Sequence, residues 1–420
     1  MTHRRPTSAT TGDRRRGIHP PVRMLHVITR LIRGGADENT LYTVRGLDKR
    51  RYVVDLAVGE GSELEEIGTI PDVGVHLVPE LVREPHPWKD MVALIKLARM
   101  IRRGNYQIVH THTAKAGFLG RLAAAIAGTP VIIHTVHGVT FHQHLPWAHR
   151  AFYLALERIA ARFTDQFVAV GEDVKDIYLR SGIGTTAEYE TIYSGMPLHE
   201  YLEAGAMPAA ERDALRAELG FEPHHRVIVM AARLEPRKGH GYLFHAVQRL
   251  RPDHPELRVL VVGEGPIRVQ LETQCRALGI DDLVVFLGHR HDLPRVFAAA
   301  DISVLTSLWE GLPRVLVQSA AAGKPIVTFD VEGAWEVVRD GRNGFVVASQ
   351  DVHAFAERLG LLLAERERSE EMGAAGREAV GSRWTVETML DRLDDLYARW
   401  TSKGAACPCR SRCSSSRSSR

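Results

Sequence analysis

Four short stretches hold residues whose types and spacing suit chemistry on an anion. Arg233 and Lys238 lie in Arg-Leu-Glu-Pro-Arg-Lys-Gly, just beyond the strand-like run RVIVMAARL at 226–234. Arg forks onto phosphate oxygens and Lys adds a point charge, although solvated loop charges are the plainer explanation of the same pair. Glu310 opens Glu-Gly-Leu-Pro after the run ISVLTS, and Gln318 falls on the second turn of the helix that Pro313 is suited to begin, so that free amides near Gly311 and Leu312 face whatever binds there. Both side chains suit the hydroxyls of a sugar or ribose, but Glu310 can equally cap that helix. Gly34-Gly35 follows the first strand and precedes a helix, which lets backbone approach a phosphate; a tight βα turn is the bland alternative. His137, between the run VIIHTV and Gly138, is the best placed of the histidines at 110, 112, 134, 137, 142, 144 and 149 to face a cleft, against the alternative of a packed, hydrogen-bonded core histidine. That cluster lacks His-Glu-x-x-His and any interleaved carboxylate, so no metal site is expected.

Strands alternating with amphipathic segments must position these residues. Apolar runs at 24–29, 52–58, 74–78, 107–112, 131–136 and 165–170 alternate with mostly helical stretches, and the pattern repeats at 226–234, 258–265, 284–289, 302–307, 325–329 and 344–347. Near-continuous apolar strands imply parallel sheets covered on both faces. The expected organisation is α/β: a basic, disordered tail at 1–21, a first doubly wound, Rossmann-like domain at 22–195, a Gly/Pro/Ala-rich linker at 196–222, and a second such domain at 223–383. A closing helix at 384–400 and a disordered tail at 401–420 complete it. Open parallel sheets bind ligands at the carboxyl ends of their strands, so two such domains facing each other enclose one cleft, and the residues above all fall in strand-to-helix loops.

Charge and composition exclude several classes. Net charge is +3, but each terminal stretch (1–23 and 401–420) carries +5, leaving a body of −7; a wholly basic nucleic-acid surface is disfavoured and no nucleic-acid partner is expected. No apolar run reaches the ~18–20 residues of a membrane span and the Arg-rich start lacks a signal-peptide core, which predicts a cytoplasmic protein. Three of four cysteines, Cys407, Cys409 and Cys413, fall in the Ser/Arg-rich end, so no disulfide framework is expected in the body, where Cys275 is alone. Neither Gly34-Gly35 nor Gly263-Glu264-Gly265-Pro266 completes the dinucleotide fingerprint, and no glycine-rich loop ends in Lys-Ser/Thr, which argues against a dehydrogenase or a P-loop enzyme.

Taken together, Gly-Gly-Ala-Asp at 34–37, Thr-Val-His-Gly at 135–138, the Arg233–Gly239 stretch, Gly-Glu-Gly-Pro at 263–266, Glu-Gly-Leu-Pro at 310–313 and Ala-Gly-Lys-Pro-Ile-Val at 322–327 resemble the retaining glycosyltransferases of family 4 (glycosyltransferase group 1), whose two-domain architecture is called GT-B. The resemblance spans about residues 22–400. It implies a nucleotide sugar held chiefly by the second domain, an acceptor held by the first, and transfer with retention of anomeric configuration in surface polysaccharide or glycolipid synthesis. It implies that Arg233, Lys238 and the amides near Gly35 and Gly311 stabilise the leaving diphosphate, that Glu310 holds the transferred sugar and that His137 lines the reacting centre. The implied donor-binding set also takes in Gly34, Gly263, Gly265, Gly288, His289, Leu312, Pro313 and Gln318. Two positions depart from the family pattern. Gln318 stands where a second glutamate accepts ribose hydroxyls, and Gly171 stands where a helix-capping Ser is common.

No cofactor is expected, the nucleotide sugar (UDP-hexose by default) being a substrate, and no Asp-x-Asp pair points to an obligatory divalent ion. The acceptor is expected to be a glycan or lipid-linked. Lys96, Arg99, Arg102 and Arg103 interleave with Met91, Leu94, Ile95, Leu97, Met100 and Ile101 on one helical stretch. The plainer reading packs this helix on the sheet with its cations in water; the functional alternative docks it on an anionic membrane at the inner surface. The competing activities are a nucleotide-sugar epimerase of the same architecture and a non-catalytic nucleotide-sugar-binding protein, which Gln318 keeps in play.

Overall fold

The computed structural model describes residues 21–32, 34–62 and 70–403. The first half builds strands β1 (Val22–Ile28), β2 (Tyr52–Gly59), β3 (Val73–Val78), β4 (Ile108–His112), β5 (Val131–Val136), β6 (Gln166–Ala169) and β7 (Tyr189–Thr191), with helices α1 (Gly35–Gly46), α2 (Pro87–Gly104), α3 (Ala114–Ala127), α4 (Trp147–Ala161) and α5 (Glu172–Arg180). All its strands are parallel, in the order β3-β2-β1-β4-β5-β6-β7. Every residue of β4 and of β5 is buried, the signature of a sheet covered on both faces.

Helices α6 (Leu198–Gly205) and α7 (Ala209–Glu218) lead to the second half, which contains β8 (Arg226–Ala231), β9 (Leu257–Val262), β10 (Val284–Gly288), β11 (Ile302–Leu305), β12 (Ile326–Phe329) and β13 (Gly344–Val347). Its helices are α8 (His240–Leu250), α9 (Arg268–Leu278), α10 (Leu293–Ala299), α11 (Arg314–Ala321), α12 (Ala334–Val337), α13 (Val352–Ala364), α14 (Arg366–Ala379) and α15 (Val386–Lys403). This sheet is also parallel, ordered β10-β9-β8-β11-β12-β13. In both sheets the strand order reverses beside the first strand of the half, β1 or β8, so the ligand crevice of each opens at the carboxyl end of β1/β4 or β8/β11. The α/β class with two doubly wound sheets is the architecture expected from the sequence.

The stretch expected to be linker carries two helices. They pack on the second half, where Ala204 and Leu215 share a buried cluster with Ala298 and Ala299 of α10. The closing helix starts later and ends later than the 384–400 expected: Trp384 belongs to a short 3₁₀ turn, and α15 runs to Lys403. It returns to the first half, burying Met389, Leu393, Leu396 and Tyr397 among β1 and β2 side chains. Tyr52 donates to Asp394 (2.7 Å) and Tyr397 meets His110 (2.7 Å). The expectations of disorder for the tails, and those for Cys407, Cys409 and Cys413, lie outside the described residues apart from Pro21 and Thr401–Lys403; those last three are helical. Cys275 is buried and free.

Candidate active-site cleft

One wall of the cleft is built at the strand ends of the second sheet. The loop after β8 brings Arg233, Glu235, Arg237 and Lys238 together, and the loop after β11 brings Glu310 against them. Lys238 donates to one carboxylate oxygen of Glu310, and Arg237 reaches the other at 3.5 Å. Arg233 and Arg237 both donate to Glu235, at 3.0 and 3.1 Å. Burial by itself would raise the Glu310 carboxyl, but Lys238 and Arg237 overcome it and hold the group below its ordinary value, so it is ionised at neutral pH. The Glu310 backbone N–H donates to Glu332 (3.0 Å), which pins the loop.

The glycines of this wall answer to backbone crowding. A Cβ on Gly263 would lie 2.1 Å from the Ala232 carbonyl oxygen, and one on Gly265 would lie 2.2 Å from that of Leu234. Gly263 donates to the Gly288 carbonyl (2.8 Å), and the His289 amide approaches Glu264 at 3.4 Å.

The opposite wall comes from the first sheet. His137, directly after β5, hydrogen-bonds through Nε2 to His112 Nδ1 (3.1 Å), and His112 Nε2 bonds His26 Nδ1 (3.0 Å). Burial pushes the His26 and His137 imidazoles down to about 3, and His110, His112 and His134 also fall well below the usual histidine range, so all five are neutral at physiological pH. Asp37, in the first turn of α1, is also buried. Burial raises its carboxyl to about 7 even though the Ile32 amide, Arg30 and Arg233 pull it down.

The walls touch. Gly311 packs on the His137 carbonyl so closely that a Cβ there would sit 1.8 Å from its oxygen. Trp309 stacks on His142 and His144, with centroids at 4.2 and 5.0 Å. Arg314 pairs with Glu38 (2.7 Å) and donates to the carbonyls of Gly35 (3.2 Å) and Gly195 (3.4 Å). The structure also accounts for Gly171, the N-cap of α5. A Cβ there would lie 2.6 Å from a carboxylate oxygen of Glu336, and that oxygen instead accepts from the Asp173 amide (3.3 Å), so a carboxylate from the other half does the work of the missing capping serine.

Between the walls lies a cleft of about 800 Å³. Of the residues singled out from sequence, Gly34, Gly35, His137, Arg233, Glu310, Gly311 and Leu312 line it. Lys238 pairs with the lining residue Glu310, whereas Gly263, Gly265, Gly288 and His289, at the ends of β9 and β10, are not part of the lining. Pro313 caps α11, and Gln318 is half-buried on that helix away from the lining of the main cavity. Sequence reasoning passed over Arg237, although it lies inside the quoted motif beside Lys238, and over Asp37, the last residue of Gly-Gly-Ala-Asp. Arg314, Trp309 and the His26–His112 contact carried no local signal, because each acquires its partner from a distant part of the chain. His26, His110 and His112 also lie close enough to be considered as metal ligands, but five of their six ring nitrogens are engaged by other protein groups.

Two parallel Rossmann-like sheets, a cation-lined wall at the strand ends of the second and a second wall across a shared cleft define an architecture of the GT-B class. A family model described as "Glycosyl transferases group 1" matches residues 211–379, and one described as "Glycosyl transferase 4-like domain" matches residues 34–194. An Escherichia coli UDP-Gal:alpha-D-GlcNAc-diphosphoundecaprenol alpha-1,3-galactosyltransferase is 26% identical over 386 residues, covering 91% of this chain and 98% of that protein. A Mycobacterium tuberculosis GDP-mannose-dependent alpha-(1-6)-phosphatidylinositol monomannoside mannosyltransferase is 28% identical over 327 residues, covering 76% and 81%. The solved Anabaena Alr3699/HepE, in complex with UDP, shares the fold with a TM-score of 0.76 at 21% identity, over 90% of this chain and 100% of that one. The chain belongs to the group 1 glycosyltransferases (family 4), enzymes that transfer a sugar from a nucleotide sugar.

Proposed function

We propose that this glycosyltransferase moves a hexose from a UDP-sugar to a lipid-linked glycan, with retention of configuration and without an obligatory divalent ion, on the cytoplasmic side of a membrane. The observation that carries the reading is the convergence of Lys238 and Arg237 on Glu310, with Arg233 at the same strand ends. Breaking the bond between the anomeric carbon and phosphate leaves a diphosphate gaining negative charge beside an oxocarbenium-like sugar, and preorganised donors aimed at that diphosphate supply the main stabilisation. Arg233, Lys238 and the amides near Gly35 and Gly311 take that role. Glu310, held ionised with both oxygens engaged by cations, is suited to accept sugar hydroxyls. Glu235 and Glu310 are each bound by two cationic side chains, so neither is offered to a metal.

UDP and a diphospholipid acceptor are named for the E. coli relative, and UDP for the Anabaena structure; the mycobacterial relative is named for GDP-mannose. Mass spectrometry with UDP-, GDP- and ADP-hexoses and a polyprenyl-diphosphate-linked sugar tests the reading. An acceptor gaining a hexose mass from a UDP-sugar, undiminished in EDTA, is expected. An isomerised free nucleotide sugar would instead identify an epimerase, unchanged donor would identify a binding protein, and loss in EDTA restored by magnesium would end the metal-free mechanism.

The surface of the first half favours a membrane-borne acceptor. Among the described residues no helix is long and apolar enough to cross a membrane. Helix α2 turns Ala93, Leu97 and Ile101 to the sheet, as the plainer reading requires. It also leaves a second apolar stripe in water: Trp88 is 73% exposed, Met91 52% and Ile95 41%. Exposed Arg99, Arg102 and Arg103 continue this stripe, while Lys96 is paired with Glu80 at 2.6 Å. Trp147 and Phe152 of α4 are exposed as well, and Phe152 also lines the cleft. Apolar side chains flanked by cations suit an anionic interface. Co-sedimentation with anionic but not neutral vesicles, lost in high salt and in a Trp88→Ala/Arg102→Glu/Arg103→Glu variant, is expected; absence of binding at low salt would leave an acceptor delivered in solution.

A further inference from the structure

His137, His112 and His26 form an unbranched chain of imidazoles from the cleft into the core. His137 Nε2 meets His112 Nδ1 at 3.1 Å, His112 Nε2 meets His26 Nδ1 at 3.0 Å, and His26 Nε2 is buried without a hydrogen-bond partner among the described residues. His110 stacks on His112, with centroids 4.5 Å apart, but does not branch the chain, because its own nitrogens are used by Tyr397 and Thr135.

A neutral imidazole carries one proton, and each bond in the chain needs one N–H and one lone pair. Only two arrangements satisfy both bonds. With its proton on Nδ1, His26 donates to His112 Nε2; His112 then donates from Nδ1 to His137 Nε2, and His137 carries its proton on Nδ1, the nitrogen left for the cleft. The reverse arrangement places an N–H on His26 Nε2, buried and with nothing to accept it, and turns His137 Nδ1 into a lone pair.

Orphaned buried N–H groups are the rarer fault in proteins.

We propose that His26 and His112 are positioning residues that fix His137 as the Nδ1–H tautomer, so that His137 offers a donor, and not an acceptor, to an oxygen of the transferred sugar. This rests on the reading that His137 lines the reacting centre. The chain converts a feature of the core, an imidazole nitrogen without an acceptor, into hydrogen-bond polarity at the cleft.

Long-range ¹H–¹⁵N spectra of the full chain carrying ¹⁵N-histidine, with assignments from His26→Gln, His112→Gln and His137→Gln, read the tautomers directly. Nδ1–H at all three positions between pH 6 and 8 is expected; Nε2–H at His137, or exchange between the two forms, would overturn the proposal. Kinetics of His112→Asn and His112→Leu add a test of function. Asn keeps an N–H where Nδ1 stood, whereas Leu, of nearly the same size, offers no donor and leaves the His137 tautomer unfixed. A kcat loss below about fivefold for Asn and of about tenfold or more for Leu, with donor KM changing less, is expected, and equal losses would count against the chain. If His112→Leu does not fold, the wild-type spectra decide alone. Wild-type turnover in His137→Ala would remove the contact with sugar, while the spectra would still judge the tautomer chain.

Discussion

Asp37 and Glu310 face one cleft from opposite sheets, and burial acts on both carboxyls in the same direction. It lifts Asp37 to about 7, because the pull of the Ile32 amide, Arg30 and Arg233 does not offset it. Glu310 is nonetheless held below its ordinary value, because Lys238 and Arg237 lie directly against it. The surroundings of each repeat the contrast. On the first wall the buried groups are neutral imidazoles and a carboxyl half-titrated near neutrality, with Arg30, Arg83, Asp90 and Lys115 also lining the cleft, whereas the second gathers a cluster of ionised side chains. The two sheets thus hold their buried carboxyls in opposite states, and the deciding variable is whether the counter-charge that reaches a buried group outweighs its burial. On the proposed reading the diphosphate lies by the cations of the second wall, and the sugar lies between Glu310 of that wall and His137 of the first.

Removing a cation from the ionised wall should have the largest effect. Lys238→Ala and Arg233→Ala should each lower turnover by about 10²–10³-fold, the scale of losing one preorganised donor, with the fold intact by circular dichroism. Near-wild-type turnover in either folded variant would remove that side chain from diphosphate stabilisation. Forcing the walls apart comes next. The methyl of Gly311→Ala would lie 1.8 Å from the His137 carbonyl oxygen, and a misplacement of about 1 Å can cost about 10²-fold. We expect kcat/KM to fall by that order while the melting temperature changes little; unchanged kcat/KM would mean that the observed approach is not the reacting one.

The neutral wall is tested through pH. Asp37 binds its proton more tightly folded (about 7) than at its ordinary value of 3.8, so its contribution to stability is fully present below about 3.8 and is lost as pH rises through about 7. Asp37→Asn should therefore be more stable than the parent at pH 8, by about 1–3 kcal/mol, and lose that advantage near pH 4. A melting-temperature series across this range reads it, and parallel curves for the two proteins would show that Asp37 titrates normally. The smallest change expected is at the edge of the ionised wall. Gln318→Glu should tighten UDP binding several-fold if that side chain accepts ribose hydroxyls, since ionised acceptors bond roughly twice as strongly. Calorimetry giving equal or weaker affinity would assign Gln318 to the packing of α11.

The alternation of apolar strands and amphipathic helices was legible in the sequence because parallel strands buried on both faces leave continuous Val/Ile/Leu runs. The loops that carry Arg233, Lys238, Glu310 and His137 were legible because glycine and proline punctuate them. Strand β7, Tyr189–Thr191, left no such trace, being three residues long and paired only along one edge. The amphipathic pattern of α15 announced a helix, but nothing in it said that the helix would return to the first sheet, because an apolar stripe does not name its partner.

Protonation at the cleft was decided by tertiary structure alone. The sequence supplied Asp37 and Glu310 as two ordinary acids and His26, His112 and His137 as three ordinary bases; folding let cations outweigh burial at one carboxyl and burial outweigh cations at the other, and threaded the imidazoles into a line. A residue's type sets its ordinary pKa and its complement of donors and acceptors. Which form it holds depends on neighbours that are 86 positions away for His26 and His112 and 72 for Lys238 and Glu310, and only the packed chain brings these within hydrogen-bonding reach.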